Sequence, residues 1–180
     1  GVRKRLYCKN MSSRTVSNRK IISYKEAGEK ADQLHKAGKK IVFKSGCFDL
    51  FHIGHARALE FAKKQGDVLF VSLGNDAWLR KYKGKGRPVF TEHLRAELLA
   101  SLACVDYVVI ARESAASRID HAKLFSVIKP HFYILPPNDK AMEEKKEFAK
   151  KYGVKIITKA ETRGKFVSTT RLLNLIKTLG

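Results

Sequence analysis

Residues 67–74 read Asp-Val-Leu-Phe-Val-Ser-Leu-Gly, a near-continuous apolar run set between segments of helical pattern. A strand with one wet face alternates apolar and polar residues, whereas a strand covered on both faces does not. This run therefore predicts a central parallel strand with helices above and below it. Other short apolar runs repeat the theme: Ile41–Lys44, Val105–Ile110, His131–Leu135 and Val154–Thr158. Helical segments alternate with them, so the expectation is an α/β fold around a five-stranded, mainly parallel sheet.

The helices carry their own start signals. Ser23, with Glu26 three residues on, predicts a capping box for a helix through about Lys36, stopped at Ala37-Gly38-Lys39-Lys40. Ala56–Lys64 predicts the second helix, closing at Gln65-Gly66. Asn75-Asp76 opens a loop or a short helix holding Trp78, and Arg80–Pro88 is too glycine-rich and charged for a regular element. Thr91 caps a helix over Glu92–Ala103, and Ser117–Ile128 is helical up to Pro130. Pro136-Pro137-Asn138-Asp139 is a turn before a charged helix, Lys140–Lys151. Lys159–Val167 is a loop, and Ser168 caps a last helix running to about Leu179. Ligands in such folds bind beyond the carboxyl ends of the strands. The loops after the strands should therefore gather on one edge.

One of those loops carries chemistry. Lys44–His55 (KSGCFDLFHIGH) puts two histidines around a glycine where strand becomes helix. The first helical turn has free N–H groups and a partial positive charge, so anions bind there. Imidazoles added at that point can stabilise charge building on a phosphate.

Composition narrows the partners. The formal net charge is +20, which suits an anionic ligand, nucleic acid or phosphorylated small molecule, though most of the lysines are spread along the chain as a solvated surface. Residues 1–25 carry basic residues and no acid until Glu26, and residues 1–22 are expected to be a basic flexible arm preceding a domain over 23–180. Three readings stand for the arm: an ordinary tail, an organelle-targeting remnant, or a nucleic-acid contact. No apolar run is long enough to span a bilayer. Cys8, Cys47 and Cys104 are far apart, without metal-ligand or CxxC spacing, so a reduced, cytoplasmic compartment is the expectation.

Gly46-Cys47-Phe48-Asp49-Leu50-Phe51-His52-Ile53-Gly54-His55 resembles the GxFDxxHxGH signature of the cytidylyltransferase-like nucleotidyltransferases. Ser168-Thr169-Thr170, with Arg163 upstream, resembles the family's second signature at the start of the last helix. Lys83-Gly84, Arg87-Pro88-Val89, Arg95, Leu99-Ala100-Ser101-Leu102 and Val105-Asp106 are most similar to the heptose-1-phosphate adenylyltransferase branch. The likeness covers about residues 23–178. It implies a Rossmann-like three-layer α/β sandwich, commonly a homodimer. The implied reaction is attack of an acceptor phosphate on the α-phosphate of a nucleoside triphosphate, releasing pyrophosphate. ATP and heptose 1-phosphate are the first choice. A CTP-dependent enzyme acting on glycerol 3-phosphate or another phospho-alcohol is the alternative. A nucleotide- or RNA-binding protein on a non-catalytic transferase scaffold is the alternative of another class.

The resemblance also implies roles. His52, His55 and Lys83 are catalytic candidates, with Lys81 and Lys85 competing with Lys83 for its role. Cys47, Phe48, Gly54, Arg95, Arg163, Ser168, Thr169 and Thr170 are candidates for the nucleotide, and Asp76 and Lys81 for the acceptor. Phe48 reads equally as core, and Asp49 as a cap or as an orienting group for the turn or a histidine. Mg²⁺ is expected to arrive on the triphosphate, with no protein ligand named. Three departures stand out. Phe166 replaces a glycine of the second signature, and Pro136–Asp139 stands near the branch's Gly-Gly-Asp. Ala103 lacks the arginine of the glycerol-phosphate cytidylyltransferases.

Overall fold

In a computed structural model of the chain, residues 19–112, 119, 121–158 and 169–178 are described. The elements in order are α1 (Tyr24–Lys36), β1 (Ile41–Gly46), α2 (Ile53–Lys63), β2 (Val68–Leu73), α3 (Asp76–Lys83), α4 (Glu92–Ala100), β3 (Tyr107–Ile110), α5 (Ala122–Ile128), β4 (Phe132–Leu135), α6 (Met142–Lys151), β5 (Lys155–Thr158) and α7 (Thr169–Thr178). The five strands form one sheet in the order β3-β2-β1-β4-β5, with every pairing parallel. The expected mainly parallel sheet is thus wholly parallel among the described residues.

Adjacent strand residues face opposite layers. Phe43, Phe70, Val109 and Tyr133 pack with Ala27 and Ala31 of α1, Leu124, Phe125 and Ile128 of α5, and Ala149 of α6. Val42, Leu69, Val71, Val108 and Ile134 pack with Leu59 and Ala62 of α2 and Ala96 and Leu99 of α4. Both faces of the sheet are therefore covered, which is why Val68–Leu73 is almost free of polar residues. The sheet order runs outward from β1 through β2 to β3, then returns to the other side of β1 with β4. That reversal opens a crevice above the carboxyl ends of β1 and β4.

Several boundaries differ from the sequence expectation. Arg19–Ile22 belongs to the fold rather than to the arm: the Ile22 N–H donates to the Val108 carbonyl at 3.0 Å, and Lys20 Nζ to Leu102 O at 2.9 Å. An edge strand recruits any neighbouring backbone that can pair with it. Helix α2 starts at Ile53, three residues before the expected Ala56, because His52 supplies its N-cap. Arg80–Lys83 is helical, not irregular: Asn75 accepts from Trp78 N, Leu79 is buried, and the helix stops only at Gly84, with φ at 88°. Helix α4 ends at Ala100, short of Ala103, and the described part of α5 begins at Ala122. The capping box of Ser23 and Glu26 forms as expected.

Candidate active site

The site begins where β1 ends. A side chain at Gly46 would place its Cβ 2.8 Å from the Phe48 ring, so only glycine lets the chain fold back there. Phe48 and Leu50 then take φ values of 49° and 47°, a left-handed conformation that bulky residues rarely adopt. The surrounding contacts hold them. The Asp49 side chain is buried and accepts from Arg87 Nε, from Val89 N at 3.0 Å and from Phe90 N at 3.3 Å. Its own carbonyl accepts from Thr169 Oγ1 at 2.7 Å. Asp49 therefore latches the β1 turn to the loop after α3 and to the start of α7. Orienting the turn was one of the two roles its sequence position suggested.

The two histidines have different fates. His52 Nδ1 accepts from the Gly54 N–H at 3.1 Å, so in the neutral ring the proton sits on Nε2. Its ring stacks on His55, with centroids 3.8 Å apart. His55 lines the cavity described below, and its Nδ1 is buried with no hydrogen-bond partner. A buried N–H without an acceptor costs more than an unfilled lone pair. The favoured tautomer therefore leaves Nδ1 bare and puts the proton on Nε2. Burial, then the charges of His52 and Lys44, lower the His55 pKa from 6.5 to about 3, with Asp49 opposing them. His55 is thus a neutral donor at physiological pH, and positive charge must come from other side chains.

Those surround a cavity of about 740 Å³ above the β1–β4 crevice. Its lining draws on the histidine turn, on α3 and the loop after it, on the cap of α5, on the loop after β4 with α6, and on the start of α7: Ser45–Asp49 and His55, then Trp78, Tyr82, Lys83 and Arg87, then His121, then Asn138–Ala141 and Lys145, then Thr169 and Thr170. Among the sequence candidates, the structure brings together Cys47, Phe48, His55, Lys83, Thr169 and Thr170. His52 and Gly54 form the helix start beside them without lining the cavity. Lys81 is exposed, with its Nζ 5.5 Å from the Tyr82 ring centroid, and does not line the cavity either. Arg163 and Ser168 lie outside the described residues.

Arg95 and Asp76 require a correction. Arg95 was expected at the nucleotide and Asp76 at the acceptor or ribose, but the structure joins them to each other at 2.7 Å. The Arg95 side chain is only 1% exposed. Its remaining contacts are the carbonyls of Phe90 at 3.0 Å, Cys47 at 2.6 Å and Gly74 at 2.9 Å. Four of the five guanidinium N–H donors thereby tie the ends of β1 and β2 to α3 and α4, and neither residue lines the cavity. Sequence reasoning saw an arginine on a helix and had no means to see the three loop carbonyls that converge on it.

Other cavity residues had no assigned role in the sequence. Arg87 was part of the family resemblance only. Trp78 and Tyr82, four residues apart on α3, present paired rings with centroids 4.7 Å apart. Asp139 bonds Lys145 Nζ at 2.8 Å and Ala141 N at 2.9 Å. Burial pushes the Asp139 carboxyl up, but the Lys145 bond and charge, Ala141 N–H and Lys44 together carry it below the ordinary value. Lys145, on the first turns of α6, was legible only as part of a charged helix.

An open parallel sheet, a switch-point cavity, a helix start beside it and three lysines and one arginine in its lining define a phosphate-binding α/β domain of the nucleotide-handling class. The chain belongs to the cytidylyltransferase-like family, whose profile matches residues 43–174. The bifunctional protein HldE of Aliarcobacter butzleri (strain RM4018) is 44% identical over 118 residues, covering 66% of this chain and 24% of that protein. HldE of Helicobacter pylori (strain ATCC 700392 / 26695) is 44% identical over 115 residues, 64% of this chain and 23% of that protein. The chain thus spans about a quarter of the length of the curated relatives it matches. Among solved structures, the lipopolysaccharide core biosynthesis protein from Thermoplasma volcanium GSS1 has a TM-score of 0.57 at 28% identity, over 67% of this chain and 95% of that one. A pantoate-beta-alanine ligase from Francisella tularensis shares the fold, with a TM-score of 0.57 at 21% identity over 87% of this chain and 76% of that one. The domain is therefore a nucleotidyltransferase-type enzyme domain.

Proposed function

We propose that this chain catalyses attack of an acceptor phosphate on the α-phosphate of a nucleoside triphosphate, with ATP and heptose 1-phosphate as the substrates. One P–O bond forms to the acceptor oxygen, the α–β bridge breaks, and pyrophosphate leaves. The observation that carries the reading is His55, a neutral buried imidazole on the first turn of α2, aimed with cations into one cavity. The acceptor arrives ionised, so no general base is needed and the work is positioning and charge stabilisation. His55 Nε2–H donates to the α-phosphate oxygen as its charge rises. Lys83 and Arg87 neutralise phosphate on the β2 side of the cavity; Thr170 offers its hydroxyl and the first turn of α7 its N–H groups to the leaving phosphates, while the Thr169 hydroxyl proton stays on the Asp49 carbonyl.

Mg²⁺ fits this scheme as a companion of the triphosphate. Among the described residues no group of three His, Cys, Asp or Glu side chains is placed to hold a metal. Asp49 is occupied by Arg87, and Asp139 by Lys145. Bound through the phosphates, the ion would neutralise charge on the departing pyrophosphate. The acceptor choice is supported by the sequence likeness to the heptose branch and by the HldE relatives. A homodimer is part of the proposal, supported by Val89, Phe90, Leu94 and Leu98, which leave an apolar strip exposed on and before α4. Sedimentation velocity tests it.

The test of function is pyrophosphate release with ATP, CTP, GTP and UTP against heptose 1-phosphate and glycerol 3-phosphate. The proposal expects ATP with heptose 1-phosphate to be fastest. A preference for CTP with glycerol 3-phosphate would move the chain to the other branch, and no turnover with any pair would reject the transferase reading.

A further inference from the structure

Under the β4 side of the cavity lies a chain of hydrogen bonds that the phosphate chemistry does not use. Ser45 Oγ and Tyr133 Oη are 2.8 Å apart, and Tyr133 Oη and His121 Nε2 are 2.7 Å apart. Three elements supply it: β1, β4 and the cap of α5. Phe43 pairs with Tyr133 across β1 and β4, so Ser45 stands on the same face, one pleat nearer the carboxyl edge. Tyr133 and His121 are 0% and 1% exposed, yet Ser45 and His121 both line the cavity.

The surroundings do not call for polar groups. Phe43 and Phe125 pack edge-on against Tyr133, with centroids 5.5 Å and 5.2 Å away, and β4 otherwise reads Phe-Ile-Leu. A phenylalanine would pack there without any hydroxyl to satisfy. Burying a phenol and an imidazole in an aromatic cluster is tolerable because each bonds the other. At its β1 end the chain finishes on the half-buried Ser45 hydroxyl, which lines the cavity.

That ending has a definite polarity logic. If His121 Nε2 carries a proton, it donates to Tyr133 Oη, Tyr133 donates to Ser45, and the Ser45 O–H points into the cavity as a donor. If Nε2 is bare, the chain reverses and the Ser45 oxygen faces the cavity as an acceptor. A group of this kind suits a ligand that both donates and accepts, as a sugar hydroxyl does. Asp139, on the same wall, is acceptor-only and can receive a ligand hydroxyl, its charge being matched by Lys145 at 2.8 Å.

We propose that the Ser45–Tyr133–His121 chain binds the ribose hydroxyls of the nucleotide, with Ser45 in contact and Tyr133 and His121 as positioning residues. This rests on the nucleotidyltransferase reading of the cavity. The experiment measures binding of ATP, 2′-deoxy-ATP and 3′-deoxy-ATP by calorimetry to the native protein and to Tyr133→Phe, Ser45→Ala and His121→Asn. Circular dichroism and thermal melting establish that each variant is folded, and Tyr133→Phe keeps the ring and its packing. One hydrogen bond to a ligand hydroxyl corresponds to roughly tenfold in affinity. The native protein should therefore prefer ATP to at least one deoxy analogue by about tenfold, and Tyr133→Phe and Ser45→Ala should reduce that ratio to about twofold or less. His121→Asn should lower the ratio in the same direction by a smaller factor. In turnover, the change should fall on KM for the nucleotide more than on kcat, a split that general loosening of the core would not give. A native protein indifferent to the ribose hydroxyls, or variants that keep the full preference, would overturn the proposal. Binding is read separately from turnover. Absence of pyrophosphate release by the native protein would reject the transferase reading, and the binding ratio would still decide the ribose contact.

Discussion

His52 and His55 stand three residues apart in the same signature, with their rings stacked, and they do opposite jobs. His52 is turned inward to the backbone: its Nδ1 caps the helix that follows. His55 has no partner within the protein for its Nδ1, is held neutral by burial, and lines the cavity. The arginines repeat the contrast. Arg95 is filled by the protein, with three carbonyls and Asp76 on its fork. Arg87 makes one bridge to Asp49 and still lines the cavity. A residue's place in a signature therefore does not say whether it builds the site or works in it. What decides is how many of its polar atoms the fold has already used.

The contrast can be broken by substitution. The largest effect is expected for Arg95→Met, which strands Asp76 and the carbonyls of Cys47 and Gly74. Breaking a buried pair by removing one partner costs about 3–5 kcal/mol, and urea denaturation should show a loss of that order. A loss under about 1 kcal/mol would mean that Arg95 is not the hub of the site. Next comes His55→Ala, which should lower kcat/KM by about a hundredfold or more while circular dichroism stays native. If activity survived, the cavity histidine would have no role in the transfer. The smallest effect belongs to His52→Ala, which removes a cap. A stability loss of about 1 kcal/mol is expected, with a smaller fall in activity than for His55→Ala. Equal losses of activity in the two variants would erase the distinction drawn here.

Acid provides an independent probe of His55. Its folded-state pKa is near 3, against 6.5 for the free side chain. Between those values the unfolded chain binds the extra proton and the folded one does not, so stability rises with pH across that window and is lost as pH falls through it. The dependence fades as pH rises past the free-side-chain value of 6.5, where the unfolded chain also loses its proton. From pH 7 to pH 4.5 the melting temperature of the native protein should fall more steeply than that of His55→Gln, because the native protein alone carries this histidine's acid sensitivity. Parallel curves would show that His55 is protonated normally in the folded state.

Much of the fold was legible because it rests on local rules. The Val68–Leu73 run announced a doubly covered strand, and the Ser23–Glu26 box marked the start of α1 to the residue. The glycine-rich stretch misled because Gly84 and Gly86 suggested a loop from Arg80 onward. Buried Leu79 and the Asn75 cap instead carry helix through Lys83. In the site, a pattern along the chain pointed to the turn and to Thr169 and Thr170, but it left Lys81, Lys83 and Lys85 competing for one role, and of these three it is Lys83 that lines the cavity. It did not show that Arg95 and Asp76 face each other, nor that Asp49 holds Arg87, because those meetings depend on three loops closing together over long separations in sequence. The Ser45–Tyr133–His121 chain was invisible for the same reason, its members being separated by 88 and 12 positions.

The most direct test mixes ATP, Mg²⁺ and heptose 1-phosphate with the native protein and follows pyrophosphate and the sugar product together. The account predicts pyrophosphate and an ADP-linked heptose in equal amounts, with both lost in His55→Ala. Release of pyrophosphate from no nucleotide with any phosphorylated acceptor, by a protein shown to be folded, would contradict it.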